Sequence, residues 1–68
     1  MDTAALAEQV KTRRLALDQA KALYAHGHGS YDEMAAAAKA FCEAFYAYQV
    51  AKYGKAKAKR LDFRAVLR

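Results

Sequence analysis

The sequence lacks the elements that staple or anchor many small proteins. It has one cysteine, Cys42, so no disulfide can form within the chain. His26, His28 and Cys42 do not follow the ligand spacing of a structural zinc site, and we expect no metal or other cofactor. No apolar run is long enough to span a membrane, and the N-terminal residues do not resemble a signal peptide. These absences indicate a soluble protein, which we expect in the cytoplasm.

Motifs of common enzymes are missing as well. There is no glycine-rich phosphate loop, no nucleophile elbow and no zinc-hydrolase helix. Asp32 and Glu33 are adjacent, so on a helix they point to different sides and do not suit a pair of catalytic carboxylates. No histidine lies near Cys42 in the sequence to generate a reactive thiolate. We therefore expect no catalytic residues and a non-enzymatic protein.

Proline is absent, and the three glycines lie outside two long segments that are rich in alanine. In the first segment, Asp2 or Thr3 can cap a helix that continues to about His26. Gly27 and Gly29 follow and supply the backbone conformations that end a helix. The pattern predicts a first helix followed by a tight turn.

The second segment has a clear start and a clear end. Ser30 followed three residues later by Glu33 is typical of a capping box. The helix is predicted to continue to Tyr53 and to stop at Gly54. Because the connection between the helices is short, residues 1–54 are predicted to form an antiparallel helical hairpin in an all-α fold.

Apolar residues recur at alternating steps of four and three, which is typical of a helical bundle. In the first helix they are Leu6, Val10, Leu17, Ala20 and Tyr24. In the second they are Met34, Ala38, Phe41, Phe45 and Tyr48, flanked by Tyr31, Cys42 and Tyr46. The second stripe is wider than one partner helix needs, so the hairpin is predicted to form a homodimer, an antiparallel four-helix bundle. The predicted interface contains Phe41, Phe45, Tyr46 and Tyr48.

Arg13 stands between Val10 and Leu17 in the stripe of the first helix. If the helices pair about residue 28, Arg13 comes level with Glu43, which could be a structural partner. Alternatively, Arg13 joins Lys11, Arg14 and Lys21 in a basic patch that contacts phosphate. The sequence leaves both interpretations open.

Positive charge is concentrated at the C-terminal end. Residues 52–68 contain seven basic residues and one acidic residue, whereas residues 1–51 contain five basic and six acidic residues. We call residues 55–68 the C-terminal tail. A cationic tail attracts polyanions and accelerates encounters with them. The residues predicted to contact nucleic acid are Lys52, Lys55, Lys57, Lys59, Arg60, Arg64 and Arg68, together with Arg14.

The last part of the tail also carries apolar residues, namely Leu61, Phe63, Val66 and Leu67. Their spacing fits an extended segment with alternating sides, and it fits a short helix equally well. An electrostatic tail would not need these side chains. We therefore expect this end to dock on the bundle or on another protein.

Two classes of function are compatible with these features. The first is a small nucleic-acid-binding or regulatory protein that binds the phosphate backbone of DNA or RNA through its tail. The second is an interaction adaptor or small structural subunit whose tail docks on a protein partner. Binding to an anionic membrane surface is a third possibility. In architecture alone, the predicted dimer is similar to the Rop family of plasmid RNA-binding proteins, and this likeness transfers no binding site.

Overall fold

The structure, a computed structural model, describes residues 2–68, and within that range every regular element is a helix. The chain forms α1 (Thr3–Ala25), α2 (Tyr31–Tyr53) and a short α3 (Phe63–Val66). Helices α1 and α2 pack against each other along an elongated body of 40 × 20 × 14 Å. The predicted all-α hairpin is confirmed. Among the described residues, no helix has both the length and the apolar character needed to cross a membrane.

Helix α1 begins and ends where its capping residues predict. The Asp2 carboxylate accepts a hydrogen bond of 3.0 Å from the backbone N–H of Ala4. At the other end, Gly27 adopts a φ of 78°, and the N–H of His28 donates to the carbonyl of Leu23 at 2.8 Å. This is the Schellman arrangement, in which glycine relieves the steric cost of a left-handed residue.

Helix α2 is bounded by Ser30 and Gly54. The Ser30 hydroxyl accepts a hydrogen bond of 3.1 Å from the N–H of Glu33, which is one half of the predicted capping box. Gly54 has φ 89° and ψ 156°, a conformation that essentially only glycine adopts. The carbonyl of Gly54 then accepts from the N–H groups of Lys57 and Ala58 at 3.2 and 3.0 Å. The chain thereby turns back after α2.

The core lies between the two long helices and is centred on four residues. Leu17 is 1% exposed, Ala38 0%, Phe41 5% and Cys42 9%. Ala38 has only a methyl group, so it lets the neighbouring backbone approach closely. The predicted stripes are confirmed at their centres. At the turn end, Tyr24 and Tyr31 are 44% and 51% exposed and meet edge to face, with their ring centroids 6.1 Å apart.

The C-terminal tail ends in the short helix α3, which is the helical one of the two alternatives that the sequence left open. Three apolar side chains, Phe63, Val66 and Leu67, are half-buried against the core cluster of Leu17, Ala38, Phe41 and Cys42. The apolar end of the tail therefore docks on the hairpin of its own chain.

Candidate nucleic-acid interface

The C-terminal tail runs back along α2 toward the middle of that helix. The guanidinium carbon of Arg60 lies 3.9 Å from the centroid of the Tyr46 ring. Further along, the ring of Phe63 lies 4.9 Å from the ammonium nitrogen of Lys39. Later tail residues thus meet earlier residues of α2, so the tail and α2 are antiparallel. This path places Arg60 and Phe63 against α2 and fixes the course of the tail along the body of the protein.

Polar contacts hold α3 at both of its ends. The Asp62 carboxylate accepts a hydrogen bond of 3.0 Å from the N–H of Arg64 and caps the first turn. At the last turn, the Lys21 ammonium donates to the carbonyl oxygen of Val66 at 3.1 Å. Lys39 adds a cation–π contact with Phe63. Sequence reasoning missed these anchoring roles, although an Asp directly before a short apolar pattern is a cap signal.

The basic residues predicted to contact nucleic acid are all exposed. Within residues 2–68 there is one ion pair, between Arg14 Nε and Asp18 Oδ1 at 3.4 Å. None of the seven basic residues from Lys52 to Arg68 is therefore paired with a carboxylate. Lys55, Lys57, Lys59 and Arg68 project from the tail into solvent, and Arg64 lies 5.9 Å from the Phe63 ring. A set of unpaired, exposed cations is what phosphate contacts require.

Lys52 lies at the end of α2, beside two tyrosines. Its ammonium nitrogen donates a hydrogen bond of 3.1 Å to the Tyr48 hydroxyl, and it lies 5.5 Å from the ring centroids of Tyr48 and Tyr53. The hydrogen bond to Tyr48 is the main reason that the pKa of Lys52 is raised. Lys52 is therefore charged at neutral pH.

The structure corrects the interpretation of Arg13. Its side chain is exposed and makes no ion pair with Glu43 or any other carboxylate among residues 2–68. Arg14, which is also exposed, is the arginine that reaches α2, with its guanidinium carbon 5.7 Å from the Phe41 ring centroid. A position three or four residues after Val10 satisfies the same helical spacing, so the pattern could not separate the two arginines.

The proposed basic patch on α1 is also smaller than the sequence indicates. Lys21 is half-buried, and its ammonium group is hydrogen-bonded to the carbonyl oxygen of Val66. Arg14 pairs with Asp18 across one helical turn. Lys11 and Arg13 remain exposed on α1. The larger group of exposed, unpaired cations thus lies at the end of α2 and on the tail.

The four aromatic residues of the predicted dimer interface have different surroundings. Phe41 is buried within the single chain, and the half-buried Phe45 follows one turn later, with the ring centroids 6.1 Å apart. Tyr48 is half-buried and bonded to Lys52. Tyr46 is half-buried and covered by Arg60 of the same chain. Phe45, Tyr46 and Tyr48 are therefore all partly exposed in the single chain, and a cation lies over the ring of each tyrosine.

The remaining candidate for chemistry is Cys42, which lies in the core. Burial raises the pKa of its thiol above the ordinary 9.0, and the nearby Asp62 carboxylate raises it further. A thiol in this state is a poor nucleophile at neutral pH because the thiolate is the reactive form. Within residues 2–68, no three His, Cys, Asp or Glu side chains are grouped as metal ligands.

Comparisons with known proteins return nothing that resembles the chain: no protein-family model matches it, nor does any curated protein or solved structure. The physical properties of the tail and of α2 therefore carry the functional argument.

Proposed function

We propose that this is a small non-enzymatic nucleic-acid-binding protein that contacts the phosphate backbone. The observation that carries the proposal is that the basic and the apolar residues of the tail have different surroundings. Its cations are exposed and unpaired, whereas Phe63, Val66 and Leu67 are packed on the hairpin. The contacting residues are Lys52, Lys55, Lys57, Lys59, Arg60, Arg64 and Arg68.

Docking of the tail bears directly on its affinity for a polyanion. A freely moving tail loses conformational freedom when it binds, and that loss subtracts from the affinity. Here the tail is already anchored through Arg60 on Tyr46, Lys39 on Phe63 and Lys21 on Val66. Phosphate neutralisation and counterion release would then supply most of the binding free energy.

The adaptor alternative relied on apolar tail residues that lacked a partner. Three of the four, Phe63, Val66 and Leu67, are half-buried against the core of the same chain. Leu61 is 37% exposed and offers a single apolar side chain. This packing favours nucleic-acid binding over protein binding through the tail.

We further propose that the hairpin forms a homodimer, as an antiparallel four-helix bundle. Supporting this, Phe45 and Tyr48 are half-buried on α2. The flank of α1 beside Phe45 presents Ala7 and Val10, bordered by the charged side chains of Glu8, Lys11 and Arg14. A core this small is marginal in a chain of 68 residues, and burial against a second copy would add to it. A dimer would present two cationic tails to one polyanion. Sedimentation equilibrium tests this proposal directly.

The binding proposal is tested with two double charge reversals of equal size. One variant carries Lys57→Glu and Lys59→Glu in the tail, and the control carries Lys11→Glu and Arg13→Glu on α1. All four side chains are exposed, so each variant should keep its fold, and each changes the net charge equally. Fluorescence anisotropy against labelled DNA and RNA at several salt concentrations gives the affinity and its salt dependence.

We expect the tail variant to lose most of its affinity and the α1 variant to lose little. For duplex DNA, the plot of log affinity against log salt should become less steep by about 2 in the tail variant, since each phosphate contact contributes about 0.9 to the steepness of the slope. Equal losses in both variants would place the interface elsewhere. Absence of binding by the unmodified protein at low salt would overturn the proposal and leave the adaptor function.

A further inference from the structure

The pairing of Arg60 with Tyr46 is the closest cation–π contact of the described residues. The guanidinium carbon lies 3.9 Å from the ring centroid, whereas the other cation–π pairs are separated by 4.9 to 5.9 Å. At 3.9 Å, a planar guanidinium lies across the face of the ring. Arg60 is exposed and Tyr46 is half-buried, so the pair lies at the protein surface, where a flat ligand group can reach it.

An apolar depression lies beside this pair on α2. It is open and shallow, with a volume of about 480 Å³, and it is lined by Tyr46, Ala47, Val50 and Ala51. Tyr46 belongs both to the depression and to the pair with Arg60. The planar cation and the apolar depression therefore meet at Tyr46.

Two further cations lie close to Arg60 along the chain. Lys59 is adjacent to Arg60 in sequence, and Lys57 is three residues away, which limits the separation of their Cα atoms to about 11 Å. Both side chains are exposed and unpaired within residues 2–68. A ligand here would be anionic and would also carry flat faces. Single-stranded nucleic acid has this chemistry, since its bases can stack on aromatic rings and guanidinium planes.

We propose that Arg60, held flat by Tyr46, stacks an unpaired base of single-stranded nucleic acid, with the neighbouring depression taking the apolar part of the strand. The inference rests on the proposed function and deepens it, because it names the form of nucleic acid that is preferred. In a duplex, both faces of each base are covered by neighbouring bases, so duplex bases cannot stack on Arg60. Phosphate contacts from Lys57 and Lys59 remain available to either form.

The test distinguishes stacking by the planar guanidinium of Arg60 from the effect of its positive charge. Arg60→Lys keeps the positive charge and can still tether the tail to Tyr46 through a cation–π contact, but it removes the planar guanidinium. The probes are a single-stranded thymidine oligonucleotide, an abasic strand with the same number of phosphates, and a duplex of the same length. Anisotropy at a fixed salt concentration gives the affinities, and circular dichroism checks the fold.

We expect the unmodified protein to bind the single strand more tightly than the abasic strand or the duplex. Arg60→Lys should weaken single-strand binding about 5- to 100-fold, as expected when one stacked base is lost, and leave abasic binding unchanged. A second variant, Tyr46→Leu, removes the supporting ring and should produce the same selective loss, whereas Tyr46→Phe should retain binding.

The outcomes distinguish this inference from the proposed function. Equal binding of all three probes, with Arg60→Lys unchanged, would overturn the stacking site and leave phosphate binding intact. Equal weakening of all three probes by Arg60→Lys would also overturn it, because the residue would then act through the phosphates. No binding of any probe at low salt would overturn both proposals.

Discussion

The ammonium group of Lys21 donates a hydrogen bond of 3.1 Å to the carbonyl oxygen of Val66, which lies 45 residues later in the chain. The last carbonyls of a helix have no partner within that helix, and a lysine near the end can satisfy one of them. This contact joins α1 to α3 across the side of the hairpin. It makes the end of the C-terminal tail a third packed element, with the basic residues 55–60 as the link that leads to it.

Removing the Lys21 ammonium should loosen α3 selectively. Lys21→Met keeps most of the apolar stem and deletes the donor, and a hydrogen bond of this kind contributes about 1 kcal/mol. We expect faster hydrogen exchange at the amides of Ala65 and Leu67, with little change in the middle of α2. Lys11→Met, at an exposed position of α1, is the control and should leave these amides unchanged. Equal protection in both variants would show that α3 does not depend on the hydrogen bond from Lys21.

Two phenylalanines of α2 should differ in their contribution to stability. Phe41 is 5% exposed, so Phe41→Ala should lower the free energy of unfolding by about 3 to 5 kcal/mol. Phe45 is half-buried in the single chain, so Phe45→Ala should cost less at low protein concentration. Urea denaturation followed by circular dichroism gives both values.

The same pair of variants reports on the proposed dimer. If a second copy covers Phe45, the loss of stability caused by Phe45→Ala should increase with protein concentration. The loss caused by Phe41→Ala should change little with concentration, because Phe41 packs mainly within its own chain. Transition midpoints that do not depend on concentration, for the unmodified protein and both variants, would contradict the dimer.

Gly54 should be required for the tail to turn back along α2. Its φ of 89° with ψ of 156° is strained for any L side chain, although nothing lies within 4 Å of an added Cβ atom. Gly54→Ala should therefore cost about 1 to 3 kcal/mol through the backbone alone and expose Cys42 to alkylation as the tail detaches. Chemical synthesis with D-alanine at this position is the control, because its preference for positive φ suits the turn. Equal behaviour of the two alanines would contradict the backbone explanation.

Neutralising Asp62 should make Cys42 more reactive. Burial is the larger cause of the raised pKa of Cys42, and the Asp62 carboxylate adds to it. Asp62→Asn removes the charge and keeps a side-chain oxygen for capping α3. We expect a lower pKa and faster alkylation by iodoacetamide near pH 9. Glu43→Gln, next to Cys42 in sequence, is the control and should react like the unmodified protein.

The pH dependence of stability follows from the same shift. The pKa of Cys42 is higher in the folded chain than in the unfolded chain, so its contribution to stability is complete below about pH 9 and is lost as the pH rises through the folded value. Asp62→Asn should reduce this loss. A thermal unfolding series above pH 8 measures it, and an identical decline in both proteins would contradict the role of Asp62.

Local signals were sufficient for the hairpin but ambiguous within it. Ser30 and Glu33 marked the start of α2, and Gly54 marked its end, because capping and positive φ depend on neighbouring residues alone. The pattern placed Arg13 in the stripe, although Arg14 satisfies the helical spacing after Val10 equally well. The contact of Arg14 with Phe41 depends on the rotation of α1 against α2.

The sequence by itself determined the two long helices, their ends, the apolar stripes and the unequal distribution of charge, since each depends on residue type and on spacing along the chain. The conformation and position of the C-terminal tail were decided by the tertiary structure. Eight residues carry too little periodicity to choose between strand and helix. The choice came from distant partners, with Lys21 on Val66, Lys39 on Phe63 and Tyr46 under Arg60, whose proximity exists only once the hairpin has formed.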